Sequence, residues 1–166
     1  NLTTTLAIEL FAITVMVVVF DQTGSVIQAT GAMVARTIPG IIFGPFAGVL
    51  VDRVSRKYLL IGMDLSRALL VGLSLLVLDD SENVPIVGMY IIVLILFSAD
   101  VVHRPARLAL IPYLVPPQNL VNANGSILVV TMIMMAVAFG LGGWLILVMP
   151  LTQIVIGVMG LLILAI

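Results

Sequence analysis

Gly48-Val49-Leu50-Val51-Asp52-Arg53-Val54-Ser55-Arg56-Lys57 sets four charged residues into the short break between two long apolar runs, about 27–51 and 58–78. Charge is otherwise scarce. Of the 166 residues 62% are hydrophobic and only 9% charged, with a mean hydropathy of +1.32, whereas a soluble domain carries roughly a quarter of its residues as charges. Apolar runs of about 20 residues separated by brief polar breaks are what a bilayer requires, because a helix satisfies its own backbone where water is absent. Working outward from the break, further runs at about 3–20, 85–103, 120–148 and 151–166 bring the number of spans to six. One such run could be a buried helix of a large soluble protein. Six in series cannot, since too little polar sequence remains to cover the core they would make.

The breaks differ in sign. Those after the second and fourth runs hold Arg53, Arg56, Lys57, Arg104 and Arg107, five of the seven cations, and the other breaks hold none. Positive loops stay in the cytoplasm, so the N-terminal end is expected there as well, in a multi-pass protein of a bacterial inner (plasma) membrane. The start at Asn1 and the stop inside an apolar run read as a fragment, and no signal-peptide pattern opens it. A formal net charge of −1 offers no basic field for nucleic acid. The absence of cysteine and the single histidine, His103, leave no thiolate or clustered-histidine metal site, so neither a metal nor a cofactor is expected.

Glycine spacing suggests where helices meet. Gly40, Gly44 and Gly48 recur every four residues along one face of the second run, and Gly140, Gly142 and Gly143 do the same service in the fifth. Small residues let backbones approach where apolar burial cannot drive association. Pro39 and Pro45 are expected to bend the second run. Phe43-Gly44 and Phe139-Gly140 stand in runs of opposite direction, which fits two inverted three-helix repeats.

The break itself reads G-x-x-x-D-R-x-x-R-K, and it resembles the signature between the second and third spans of the major facilitator superfamily. Thr23-Gly24-Ser25, Asp64-Leu65-Ser66-Arg67-Ala68, Pro105 to Pro112 and Leu120-Val121-Asn122-Ala123-Asn124 resemble the branch with macrolide efflux proteins and the enterobactin exporter. Two features differ: no R-x-x-x-G pattern occurs in the fourth span, and Ala138-Phe139 stands where that branch usually has Gly-Pro. The resemblance implies an all-α membrane fold in which residues 1–166 are the N-terminal six-helix half, with a C-terminal six-helix half as missing partner. It also implies a gating motif of Gly48, Asp52, Arg53, Arg56 and Lys57. In the family the acidic residue and second arginine latch the cytoplasmic side of the other half, which here would be Asp52 and Arg56, with Asp64 and Arg67 in support.

Charges at membrane depth are costly and mark candidate sites. Glu9, two turns into the first run, is the candidate for proton coupling, unless it is merely solvated near the surface. Arg36 sits mid-span and calls for an anion, Glu9 or Asp64, either as a fixed pair or as one exchanged for protons or substrate. Asp64 and Arg67, three apart, share a face, and Asp100 is expected to find His103 and Arg104 on its own helix, leaving His103 at the surface. Met132, Met134 and Met135 are expected in packing or lipid contact rather than in a binding cavity, and Trp144 in an interfacial belt.

The expected function is secondary active transport, with efflux of a small amphiphilic or drug-like molecule by alternating access and proton coupling as an open option. An importer or uniporter of the same fold, or a membrane scaffold without transport, are the alternatives. No enzyme is expected, since a hydrolase would need a nucleophile and base at matching depth and His103 is the only histidine.

Overall fold

In the computed structural model the described residues are 2–78 and 86–165, with the backbone alone described at 2, 49, 50, 52, 53, 56, 76–78 and 107. The third polar break, Asp79 to Asn83, lies outside them. Eight α-helices account for nearly all of the described chain: α1 Leu2–Thr23, α2 Val26–Ala35, α3 Ile38–Arg53, α4 Arg56–Leu78, α5 Ile86–Leu108, α6 Ile111–Leu114, α7 Leu120–Val148 and α8 Leu151–Leu164, with a 3-10 turn at Pro117–Asn119. This is an all-α membrane protein. Five helical stretches are long and apolar enough to cross a bilayer, Thr3–Thr23, Val26–Gly48, Lys57–Leu75, Ile86–Ala106 and Pro117–Val148. The sixth expected span, α8, has 14 residues and so extends roughly 20 Å at 1.5 Å per residue, shorter than the roughly 30 Å hydrocarbon core.

Local chemistry explains the turns. Gly24 ends α1 at φ +62°, the left-handed conformation that glycine adopts without a Cβ clash, and its N–H donates to the Phe20 carbonyl at 2.7 Å. Ser25 then caps α2, its hydroxyl accepting from the Gln28 N–H at 3.4 Å. The second span, expected as one run over 27–51, is instead two helices. Pro39 has no N–H and its ring would collide with the carbonyl four residues earlier, so the ladder stops at Ala35 and restarts at Ile38. Thr37 seals the break, donating from both its N–H and its hydroxyl to the Val34 carbonyl.

α1 is the axis of the bundle. Ala7, Phe11, Val15 and Val19 are all buried, one helical turn apart, and α2, α7 and α8 pack around them. The remaining core comes from Ala68 and Val71 of α4, Val93 and Leu96 of α5, and Val155 and Leu162 of α8. The pairings of α1 with α7 and of α3 with α5, and those of α4 with α5 and of α8 with α1, exchange under one swap of the first three spans with the last three; α4 with α8 maps onto itself. The contact of α1 with α2 breaks the exchange, since α5 and α7 make no comparable one.

Most of the expected glycine contacts are not made within the described chain. Among Gly40, Gly44, Gly48, Gly140 and Gly143, an added Cβ would meet nothing within 4 Å, so no other helix of the described chain closes on them. The reason is which side of each helix faces inward: α3 turns Ile41, Phe43 and Phe46 outward as well. Gly142 alone of the set makes the anticipated crossing, where a Cβ would stand 3.2 Å from Ile13 Cγ2.

Candidate functional site

The charged side chains of the spans, apart from Asp21 at the far end of α1, gather at one end of the bundle, where α1 and α4 begin and α3 and α5 finish. Glu9 is about 10 Å along α1 from its start at the helical rise of 1.5 Å per residue. It is 7% exposed. The α2–α3 break turns Arg36 toward it: Nη1 donates to Oε2 at 2.9 Å and Nη2 to Oε1 at 3.3 Å, a two-pronged pair of the kind a planar guanidinium favours. Of the two anions the sequence left open for Arg36, Glu9 is the one it meets. The guanidinium also lies 5.1 Å from the centroid of Phe97 on α5, where the ring face attracts a cation.

A second group joins α4 to α5. Arg67, fully buried, reaches Asp64 Oδ1 with Nη1 and Asp100 Oδ1 with Nη2, each at 3.0 Å. His103 Nε2 stands 3.3 Å from Asp64 Oδ1. Two expectations are corrected here. Asp100 is neutralised by Arg67 of the neighbouring helix rather than by its own helix, and His103 is 5% exposed rather than a surface residue. Both follow from the register of α4 against α5, which places Asp64 and Asp100 on either side of one guanidinium. Partnering is the condition for such burial, since an unpaired charge at this depth costs several kcal/mol.

Two cavities open between these groups. The larger, about 360 Å³, is lined by Glu9, Arg36, Phe97, Asp100, Arg104 and Val101 among others. Pro105 shapes its wall, since it leaves the carbonyl of Val101, four residues earlier, without a helical donor. The smaller, about 40 Å³, shares Glu9, Phe97, Asp100 and Arg104 and adds Thr4, His103 and Thr131. The arrangement can hold protons, ions or a ligand's polar group at a wall of paired charges beside an aromatic face. No cluster of three or more potential metal ligands occurs among the described residues.

Of the expected gating motif, Gly48 and Lys57 are exposed and α3 ends at Arg53, one turn from the start of α4 at Arg56. The side chains of Asp52, Arg53 and Arg56 lie outside the described residues. Met132 is exposed, while Met135 lines the smaller cavity. Trp144 is exposed near the end of α7. Sequence reasoning missed Phe97, Thr4 and Thr131. Phe97 had a signal in hindsight, three residues before Asp100 on one face, but the two threonines are indistinguishable in sequence from those that bond their own helix backbone, as Thr131 also does.

Comparison with known proteins supplies the relationship. Over 117 residues, 69% of its length, the chain is 34% identical to a macrolide efflux protein A of Streptococcus pyogenes. It is 36% identical over 88 residues to the macrolide efflux protein A of Enterococcus faecalis, covering 53% of the chain. The chain is a relative of the major-facilitator efflux transporters. An MFS-type transporter of Mycobacterium tuberculosis is 29% identical over 111 residues, 63% of the chain. The matched stretches span only 29%, 27% and 23% of these three relatives. No family model matches the chain, and no solved structure matches it significantly.

Proposed function

We propose that the chain is the N-terminal half of a secondary transporter that exports a small amphiphilic molecule, of the macrolide kind named in its relatives, by alternating access coupled to protons. The observation that carries the reading is the Glu9–Arg36 pair. An acid on the bundle axis, buried and paired with a cation on a broken span, is placed to exchange that cation for a proton when the span moves. The α2–α3 break supplies the joint for such movement, because at Arg36 and Thr37 the helical ladder is already interrupted. The 360 Å³ cavity beside the pair gives substrate access to the same groups, and the end of the bundle that holds them faces the cytoplasm in this reading. The C-terminal half would cover the outward face of α3.

Glu9→Gln tests it. In full-length transporter reconstituted into vesicles, with radiolabelled macrolide as the probe, the variant is expected to lose pH-gradient-driven transport while passive exchange of the macrolide persists. Gradient-driven transport at the wild-type level would remove Glu9 from coupling. Retention of both activities together with no response of the wild type to an imposed pH gradient would remove proton coupling altogether.

A further inference from the structure

The smaller cavity contains a polar group that the Glu9–Arg36 pair leaves unexplained. The hydroxyl oxygen of Thr4 is buried with no hydrogen-bond partner among the described residues, on a residue 3% exposed, and Thr4 lines the cavity. A buried hydroxyl left unbonded costs about 1–3 kcal/mol, which an ordered water recovers. The volume of about 40 Å³ exceeds the roughly 10–15 Å³ needed to hold one water, and at a liquid share of about 30 Å³ each it holds about one water. Glu9 borders this space from α1, Asp100, His103 and Arg104 border it from α5, and Thr131 closes it from α7. Water there would touch Glu9 and His103 together.

His103 is placed to receive a proton. Asp64 and Asp100 share the guanidinium of Arg67, and Arg104 borders the same cavity beside Asp100. The imidazole turns Nε2 to Asp64, at 3.3 Å, which assigns its hydrogen to that nitrogen in the neutral ring and leaves the lone pair on Nδ1 as acceptor. Among the described side chains, the charged groups around it are Asp64 and Arg67 on α4, Asp100 and Arg104 on its own helix, Glu9 on α1 across the cavity, and Arg36 at the α2–α3 break beyond Glu9. The described residues that α7 turns to the cavity, Thr131 and Met135, carry no charge. α8 packs on α4 and bears none over Leu151–Leu164.

We propose that this cavity is a hydrated proton-exchange chamber in which Glu9 and His103 trade one proton through bound water. The O–H bond of the Glu9 carboxylic acid breaks and its proton passes to a chamber water, which releases another to Nδ1 of His103. Glu9 is left as a carboxylate on Arg36, and His103 as an imidazolium beside the Asp64 carboxylate. Nothing is oxidised or reduced, and the number of protons held by the two residues is unchanged. The proposal rests on the proton-coupled reading of Glu9 and gives it a second station, one turn of α5 from the Asp100–Arg67 pair.

The experiment uses the full-length transporter in lipid nanodiscs with ¹⁵N-labelled histidine, the His103 resonance being assigned by its disappearance in His103→Gln. Its titration is followed in wild type, Glu9→Gln and Thr4→Val. Glu9→Gln is expected to displace the His103 midpoint by about half a pH unit or more, roughly a threefold change in proton affinity. Thr4→Val, which keeps the shape and removes the hydroxyl, is expected to slow pH-gradient-driven transport of radiolabelled macrolide in vesicles by about tenfold. A His103 midpoint unmoved by Glu9→Gln overturns the proposal whatever the transport result. Thr4→Val and His103→Gln transporting at the wild-type rate, while Glu9→Gln does not, overturn the chamber and leave Glu9 as the coupling acid. Glu9→Gln retaining gradient-driven transport overturns both. A His103→Gln protein that fails to fold leaves the titration of the other two variants to decide.

Discussion

Arg67 has no exposed surface and yet holds two carboxylates from two helices, so its removal does more than delete a contact. Asp64 and Asp100 would be left on either side of the vacated position, repelling one another and lacking the cation they share. Arg67→Met is therefore expected to destabilise the protein by about 3–5 kcal/mol, measured by denaturation of the purified protein in detergent. Adding Asp64→Asn and Asp100→Asn to that variant should restore a large part of the loss, because a neutral cluster has less to compensate. If the triple variant is as unstable as Arg67→Met alone, the guanidinium acts by packing rather than by charge. The same cluster shows how far sequence reaches. Spacing of three places Asp64 and Arg67 on one face of α4, and the pair forms. The spacing of Asp100 from His103 and Arg104 is equally suggestive and misleads, because the stronger partner comes from another helix and the register between helices is not written in either one.

The same limit appears in how helices meet. Apolar runs locate α1, α4, α5 and α7 closely, since a bilayer leaves the backbone few other conformations. The split of the second run follows from Pro39 and Thr37 and was legible only as a bend. Glycine rows, in contrast, mark faces that can approach a neighbour without saying which neighbour. Of the glycines in the two rows Gly142 alone does so within the described chain, and its opposite number, Ile13, is branched at Cβ and stiff in a helix. A Cβ there would lie 3.2 Å from Ile13 Cγ2 and 3.4 Å from its Cδ1, so larger side chains must push α1 and α7 apart. Gly142→Leu is expected to cost about 1–3 kcal/mol, and Gly143→Leu, whose Cβ points into open space, less than about 0.5 kcal/mol. Thermal unfolding of the two purified variants side by side checks this; equal losses would mean that the α1–α7 contact is not set by Gly142. Ile13→Ala should relieve the Gly142→Leu variant in particular.

Under the proposed function, the outward face of α3 is where this bundle would meet the rest of a transporter. Gly40, Gly44 and Gly48 have no neighbour within 4 Å of where a Cβ would stand, and Ile41 and Phe46 on the same helix are exposed. At the end of that helix comes the Asp52-Arg53 pair, followed by Arg56 and Lys57 at the start of α4. A carboxylate at a helix C-terminus faces the negative end of the dipole, so Asp52 gains from a cation or a helix N-terminus brought in by another part of the protein. If the second half supplies that group when the cytoplasmic side is closed, Asp52→Asn weakens the closed state and leaves the side chain nearly the same size. A lost contact of about 1–2 kcal/mol changes the ratio of two states roughly 5- to 30-fold, enough to convert a closed resting population into an open one. In the full-length protein, spin labels across the cytoplasmic mouth are expected to report longer distances in Asp52→Asn, with transport of the macrolide probe reduced in parallel. Distance distributions that match the wild type would show that the cations of this turn set orientation only, and that closure depends on contacts elsewhere along α3.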